Sequence, residues 1–222
     1  MDEILQQVRA DLRRSMNGIA SKSMREKGLH YKLNFGVDVP RLRELSKRYL
    51  IDAQLAELLW GQETRELKIL ATMLYPVHEF DMDKADKWVK EIPNHEIREQ
   101  VSMNLFQKLD FADKLVQKWT DSKDEEVRTS GYWLFARLLI VKSGLVNKTN
   151  QNEIMEKMIS DLSAGSYFLR LSAQRALTFL GRTAESFSKK ILDGIQDLQT
   201  SGDAAKKEIF DSLSFEFTDF PD

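Results

Sequence analysis

Gln100 and Asn104 stand four residues apart, a spacing that on a helix puts both amides on one face, beside the apolar stripe Ile97, Val101, Leu105 and Leu109. Amides donate and accept hydrogen bonds without carrying charge. They read either as a binding pair or as ordinary solvated groups on a surface helix. A second grouping follows at Arg128, Tyr132, Trp133 and Arg137, off the stripe formed by Val127, Gly131, Leu134, Phe135 and Leu138. Arginine beside exposed aromatic rings suits contact with phosphate and with a base or sugar, whereas a tryptophan packed on a neighbouring repeat would be structural. Cations also recur where helices open, at Arg65, Lys68, Arg98, Arg128, Arg170 and Arg175. Equivalent positions in a helical repeat form a row, and a row of cations can track a phosphate backbone without reading sequence. The alternative is that each arginine pairs with an acid or a carbonyl of the adjacent repeat.

Other chemistries find no support. The chain has no cysteine, so disulfides and thiolate metal sites are excluded, and His30, His78 and His95 stand alone without metal-ligand spacing. Asp81-Met82-Asp83 lacks the glycine and distant glutamate of a calcium loop and reads as a helix cap. Phosphate-loop, dinucleotide, nucleophile-elbow and zinc-protease patterns are absent. No cofactor and no metal are expected.

The elements that must position these residues are helical. Apolar residues recur at helical spacing almost throughout, and four prolines and ten glycines in 222 residues leave few interruptions. Ile4, Leu5, Val8 and Leu12 form a first stripe. Asp38 caps a helix carrying Leu42, Leu45 and Tyr49, and a short helix ends at Trp60-Gly61. Pairs of a shorter and a longer helix then repeat: one begins near Glu63, and further segments are expected over 83–92, 96–109, 112–119, 126–141, 154–162, 167–180, 185–199 and 202–210. The first helix of each pair closes on a bulky residue (Trp60, Trp88, Trp119, Leu162), and the second opens with Arg65, Arg98, Arg128 or Arg170. This frame predicts an all-α, HEAT-like solenoid of four or five helix pairs after an N-terminal cap. It is expected to form one domain over residues 1–210. The segment 211–222, where Phe215, Phe217 and Phe220 alternate with acids, reads as a non-helical acidic tail that frays, folds back or binds another chain.

Net charge is −2, unevenly spread: residues 1–48 hold eleven Lys/Arg against six Asp/Glu, while residues 201–222 hold six acids against two lysines. A basic N-terminal face for phosphate is one reading, an ordinary solvated surface the other. The longest apolar run, residues 133–141, is interrupted by Arg137 and falls short of a bilayer span, and the N-terminus lacks a secretory apolar segment. A cytoplasmic location without membrane contact is therefore expected.

The stretch Phe35-Gly36-Val37-Asp38-Val39-Pro40-Arg41-Leu42-Arg43, with Leu59-Trp60 followed by Arg65-Glu66, resembles the DNA alkylation repair (AlkD-like) HEAT-repeat family. The resemblance implies a C-shaped solenoid whose concave, basic face holds double-stranded DNA, and active members that release alkylated purines without a metal. It adds Arg43 to the expected DNA contacts, which are then Arg43, Arg65, Lys68, Arg98, Arg128, Tyr132, Arg137, Arg170 and Arg175. The family's catalytic tryptophan and aspartate, four residues apart, fall on Gln100 and Asn104; its arginine falls at Arg128 or Thr129, and its last tryptophan near Gln174. A neutral amide cannot supply the anion that stabilises a developing oxocarbenium charge. The resemblance thus implies a DNA-binding protein, for damaged or distorted duplex, that departs from the family at its catalytic positions. The rival readings are an active alkylpurine glycosylase using another carboxylate, such as Asp110 or Asp113, and a peptide- or protein-binding scaffold engaging a partner through the acidic tail.

Overall fold

The computed structural model describes residues 2–218. Among them the chain is helical, apart from an isolated parallel bridge between Leu33 and Thr64. The chain forms two compact units, one of residues 2–85 and 91–109, the other of residues 86–90 and 110–218.

The first unit is built on α1 (Asp2–Arg14), α2 (Gly18–Glu26), α3 (Val39–Ser46), α4 (Ala53–Trp60) and α5 (Arg65–Leu74). Helix α6 (Met82–Lys90) spans the division, and α7 (His95–Asn104) completes the first unit. Local chemistry sets the starts: Asn17, Asp38, Asp52 and Asn94 each accept a hydrogen bond from a first-turn N–H. Pro40 sits in the first turn of α3, where its missing N–H is no loss. Gly61 does cap α4, but with φ −65° rather than the left-handed backbone usual for a glycine stop. The expected helix 96–109 is shorter, because Leu105 leaves helical geometry and residues Phe106–Lys108 form a 3-10 turn. Helix α5 packs on α3, α4 and α7. Its Leu67, Ile69, Leu70 and Leu74 meet a core that includes Leu42, Leu59, Trp60 and Val101, all fully or nearly fully buried.

The second unit contains α8 (Ala112–Thr120), α9 (Glu125–Ile140), α10 (Gln151–Asp161), α11 (Tyr167–Gly181), α12 (Glu185–Gly194), α13 (Gln196–Gln199) and α14 (Ala204–Thr218). Asp124 caps α9, its carboxylate accepting from the Glu126 and Val127 N–H groups. The long interval between Arg128 and Arg170 arises from the length of α9 and from a 3-10 turn at Gly144–Lys148 placed before α10. Helix α9 lies between α8 and α11 and is buried almost all round, from Val127 to Leu139. At its crossing with α8 a Cβ on Gly131 would stand 2.9 Å from the Thr120 backbone nitrogen and 3.0 Å from the Trp119 carbonyl carbon. Gly131→Ala should therefore lower stability by about 1–3 kcal/mol, since two backbones must separate; urea unfolding followed by circular dichroism measures it.

The C-terminal segment corrects the expectation of a non-helical tail from residue 211. Helix α14 continues to Thr218, burying Leu213 and Phe217 while Phe215 remains 74% exposed. The Phe217 ring lies against Gly181, where any side chain would collide with it. The alternation of phenylalanine with acids conceals a helical spacing of four, Leu213 to Phe217, which the apolar contact with α11 stabilises. Phe220 and the last acids of that segment lie outside the described residues.

Candidate nucleic-acid interface

In the first unit, Gln100 and Asn104 do share a face of α7, but they are 8% and 9% exposed and not solvated. The Asn104 amide nitrogen donates to the Thr72 hydroxyl on α5 (2.9 Å) and to the Gln100 carbonyl (3.2 Å). The Thr72 hydroxyl in turn donates to the Ile69 carbonyl (2.7 Å). This is an uncharged cluster with its donors directed inward; it holds no carboxylate. Asp110, the alternative acid, is exposed in the turn before α8, and Asp113 lies in that helix's first turn.

Two of the expected DNA contacts in this unit are buried. Arg65 is 2% exposed and Arg98 1%. Arg65 donates through Nη2 and Nε to Glu96 (2.6 and 2.9 Å) and through Nη1 to Glu66 (3.1 Å) and to the Val37 carbonyl (2.7 Å). Burial opposes its charge, but the Glu96 and Glu66 carboxylates prevail and hold it above the usual arginine range. Lys68 donates to the Trp60 carbonyl (2.6 Å) and stands 4.6 Å above the Trp60 ring; burial lowers its pKa against the opposing pull of Glu91 and Glu63. Arg65 and Arg98 are therefore buried and not exposed on a DNA face as expected, and Lys68 is half-buried with its ammonium held by the Trp60 carbonyl. Arg43 is exposed on α3.

In the second unit the row divides in the same way. Arg128 holds Asp161 with Nε (2.8 Å) and Nη2 (3.3 Å) and donates to the Ser122 carbonyl (2.9 Å). Tyr132 is fully buried and donates to the same Asp161 carboxylate at 2.8 Å; burial first, then the carboxylate, raises its pKa. Arg170 donates to the Ala164 (2.6 Å) and Gly165 (2.9 Å) carbonyls at the end of the preceding loop. Tyr132 is thus buried and not at a surface, while Arg128 and Arg170 are partly exposed and engaged with partners inside the unit. Arg128→Ala should destabilise the second unit by about 1–3 kcal/mol by leaving Asp161 with a single protein donor, readable as a lower urea midpoint.

The remaining residues do gather. Trp133 is buried (4% exposed), not an exposed platform, and its indole N–H has no hydrogen-bond partner. The exposed Arg175 guanidinium stacks 4.9 Å from the Trp133 ring centroid and 6.0 Å from that of Phe179. Arg182 stacks on Phe179 at 5.8 Å and pairs with Glu216 of α14. Burial, with the nearby positive charge of Arg175, lowers the pKa of Arg137. The exposed Arg175 guanidinium, held on two aromatic faces, presents a fixed cation to an anion. Sequence reasoning missed Phe179, Arg182, Thr72 and Asp161. Asp161 stands 33 residues after Arg128, close to the repeat period, and that spacing was the available signal.

Among the described residues no group of His, Asp and Glu is placed to hold a metal ion, and no helix is long and apolar enough to cross a membrane. The molecule is a helical-repeat protein with buried cross-repeat ion pairs and one aromatic-backed cationic cluster. The family of DNA alkylation repair enzymes matches residues 8–193, and the chain belongs to that family. Its fold is similar to that of a protein described as belonging to "a new family of proteins related to the HEAT-like repeat DNA glycosylases with affinity for branched DNA structures". The TM-score is 0.75 at 14% identity, covering 97% of this chain and 96% of that one. Two designed armadillo repeat proteins align less well. One has a TM-score of 0.47 at 14% identity, covering 81% of this chain and 87% of that one. The other, in complex with the peptide (KR)4, has 0.49 at 15% identity, covering 81% and 86%. No curated protein matches the chain.

Proposed function

We propose that this protein binds duplex DNA that is damaged, distorted or branched, and that it does not excise bases. The observation that carries the second part is the Gln100–Asn104–Thr72 cluster. It stands where the resemblance places the family's tryptophan and aspartate, and it supplies neither an aromatic face nor an anion. Without that anion the positive charge that develops on the sugar as a base departs has no stabilising partner at this position. Membership in a DNA repair family supports DNA as the ligand, and the relative with affinity for branched structures supports a distorted or branched form of it. The cationic cluster of Arg175 and Arg137, backed by Trp133 and Phe179, is the reading's phosphate contact in the second unit, and exposed Arg43 its contact in the first.

The test is direct. Protein in excess over methylated duplex should release no base above buffer, while fluorescence anisotropy records binding to a three-way junction and to the corresponding duplex. Base release abolished by Asp110→Asn would establish the glycosylase reading instead. Arg175→Ala should weaken DNA binding several-fold and flatten the slope of log affinity against log salt by about 0.9, one phosphate contact's worth. Its unfolding midpoint should stay near that of the parent, because the guanidinium is exposed.

A further inference from the structure

The corner between α1 and α2 holds two large apolar side chains in water: Met16 is 62% exposed and Ile19 85%. Isolated exposed aliphatics are ordinary on a folded surface; this pair is set apart by what holds it and by what surrounds it. The corner is rigid. The Asn17 N–H donates to the Phe35 carbonyl (2.9 Å), the Asn17 side chain caps α2 at the Ala20 N–H (3.0 Å), and the Ser21 hydroxyl donates to the Asn34 carbonyl (2.9 Å). Gly36, at φ +71°, presses against it so closely that a Cβ there would collide with the Asn17 carbonyl oxygen and sit 2.7 Å from the Ser21 nitrogen.

Its flanking sequence is rich in cations. Residues 13–27 include Arg13, Arg14, Lys22, Arg25 and Lys27 against one acid, Glu26; Arg14 pairs with Asp11 (2.9 Å), Lys22 with Glu26 (3.7 Å), and Arg25 donates to the Ser21 hydroxyl (2.9 Å). Arg41, from α3, donates its Nε to the Ser15 hydroxyl at the same corner (3.3 Å). A lipid surface would call for a broad apolar helix face, and α2 offers only nine residues, among them Ser21, Lys22, Ser23 and Arg25. A protein groove would have to carry acids at its rim to match the flanking charge. A rigid aliphatic point flanked by cations matches nucleic acid: the cations hold phosphates while the aliphatic side chain enters a step where bases are already unstacked.

The geometry points to the Met16–Ile19 corner as a wedge that inserts into the opened base step of branched or distorted DNA. This rests on the DNA-binding reading above and adds where the distortion is recognised. Ile19→Ser and Met16→Ser in the full chain are the test, with thermal melts expected to match the parent because both side chains are exposed. On a three-way junction carrying 2-aminopurine at the branch, the parent should raise the probe's fluorescence on binding. The double variant should lose that rise and bind the junction on the order of tenfold more weakly, with less than about twofold change on continuous duplex, since unstacking is cheap only where the stack is already broken. Ile19→Phe should retain the parent behaviour. Equal weakening on both DNAs, or junction binding unchanged with the fluorescence rise intact, would overturn the wedge while leaving DNA binding standing. A parent that binds neither DNA removes both readings. Loss of binding to phosphatidylserine vesicles by Ile19→Ser, with junction binding preserved, would assign the corner to lipid and overturn the proposal.

Discussion

Arg65→Ala should cost the first unit about 3–5 kcal/mol, the usual penalty for removing one partner from a buried ion network. Arg65 is 2% exposed and Glu66 is fully buried, so water cannot compensate the Glu66 carboxylate once the guanidinium is gone. Glu66 does more than balance charge. Its two oxygens accept from the Phe35 (3.1 Å) and Val37 (3.2 Å) N–H groups, and Arg65 reaches the Val37 carbonyl from the other side. The connector between α2 and α3 is therefore sewn to α5 through charged groups. Glu96, held by Arg65, also accepts from the Tyr31 hydroxyl (2.5 Å), which extends the network to the start of that connector. Arg65→Lys should recover only part of the loss, because an ammonium cannot reproduce the fork that spans Glu96 and the Val37 carbonyl together. Urea unfolding of parent and both variants decides this; a loss below about 1 kcal/mol for the alanine variant would fit a solvent-screened surface pair and contradict the buried network.

Gly36→Ala is the second large effect, expected at about 3 kcal/mol. Roughly 1 kcal/mol comes from placing a side chain on left-handed backbone, and the rest from a collision that no rotamer relieves. The obstacles are the Asn17 carbonyl and the Ser21 nitrogen, both backbone atoms at the first turn of α2. The chain must then pull α2 away from the Phe35–Val37 segment, breaking the Asn17-to-Phe35 hydrogen bond. Differential scanning calorimetry should show a lower melting temperature, and amide exchange should report the loosening first in α2. A melting temperature equal to the parent's would refute the close approach.

Much of the fold was legible in the sequence, and the reason is periodicity. Stripes such as Leu5, Val8 and Leu12 announce a helix and its buried face, and a cap such as Asp38 marks where a helix begins. The ends were less legible where neighbours override propensity, as at Leu105, which breaks a continuous stripe, and in α14, where a contact with Gly181 organises a segment rich in acids. The candidate site was legible in residue type and not in direction. An arginine at a helix opening looks the same whether it faces solvent or an acid in the next repeat, and Arg65 and Arg128 face the acid. On α9 the same limit applied to Tyr132 and Trp133: packing against both α8 and α11 leaves that helix no solvated side on which to display a ring. The amide pair was found correctly as a pair because four-residue spacing is geometry; its inward hydrogen bond goes to Thr72, 32 residues earlier in the chain and invisible to local pattern.

The links from Arg65 to Glu96 and from Arg128 to Asp161 span 31 and 33 residues, about one repeat each. A helix pair in this chain is consequently not a self-contained brick. Each arginine belongs to one pair and its counter-charge to the next, so a cut made at the loop between pairs separates a cation from the anion that makes its burial tolerable. Chimeras assembled at the loops between pairs should fail, whereas splices placed beyond the acid, past Glu96 or past Asp161, should carry both halves across intact. The natural module is offset from the visible one by half a repeat.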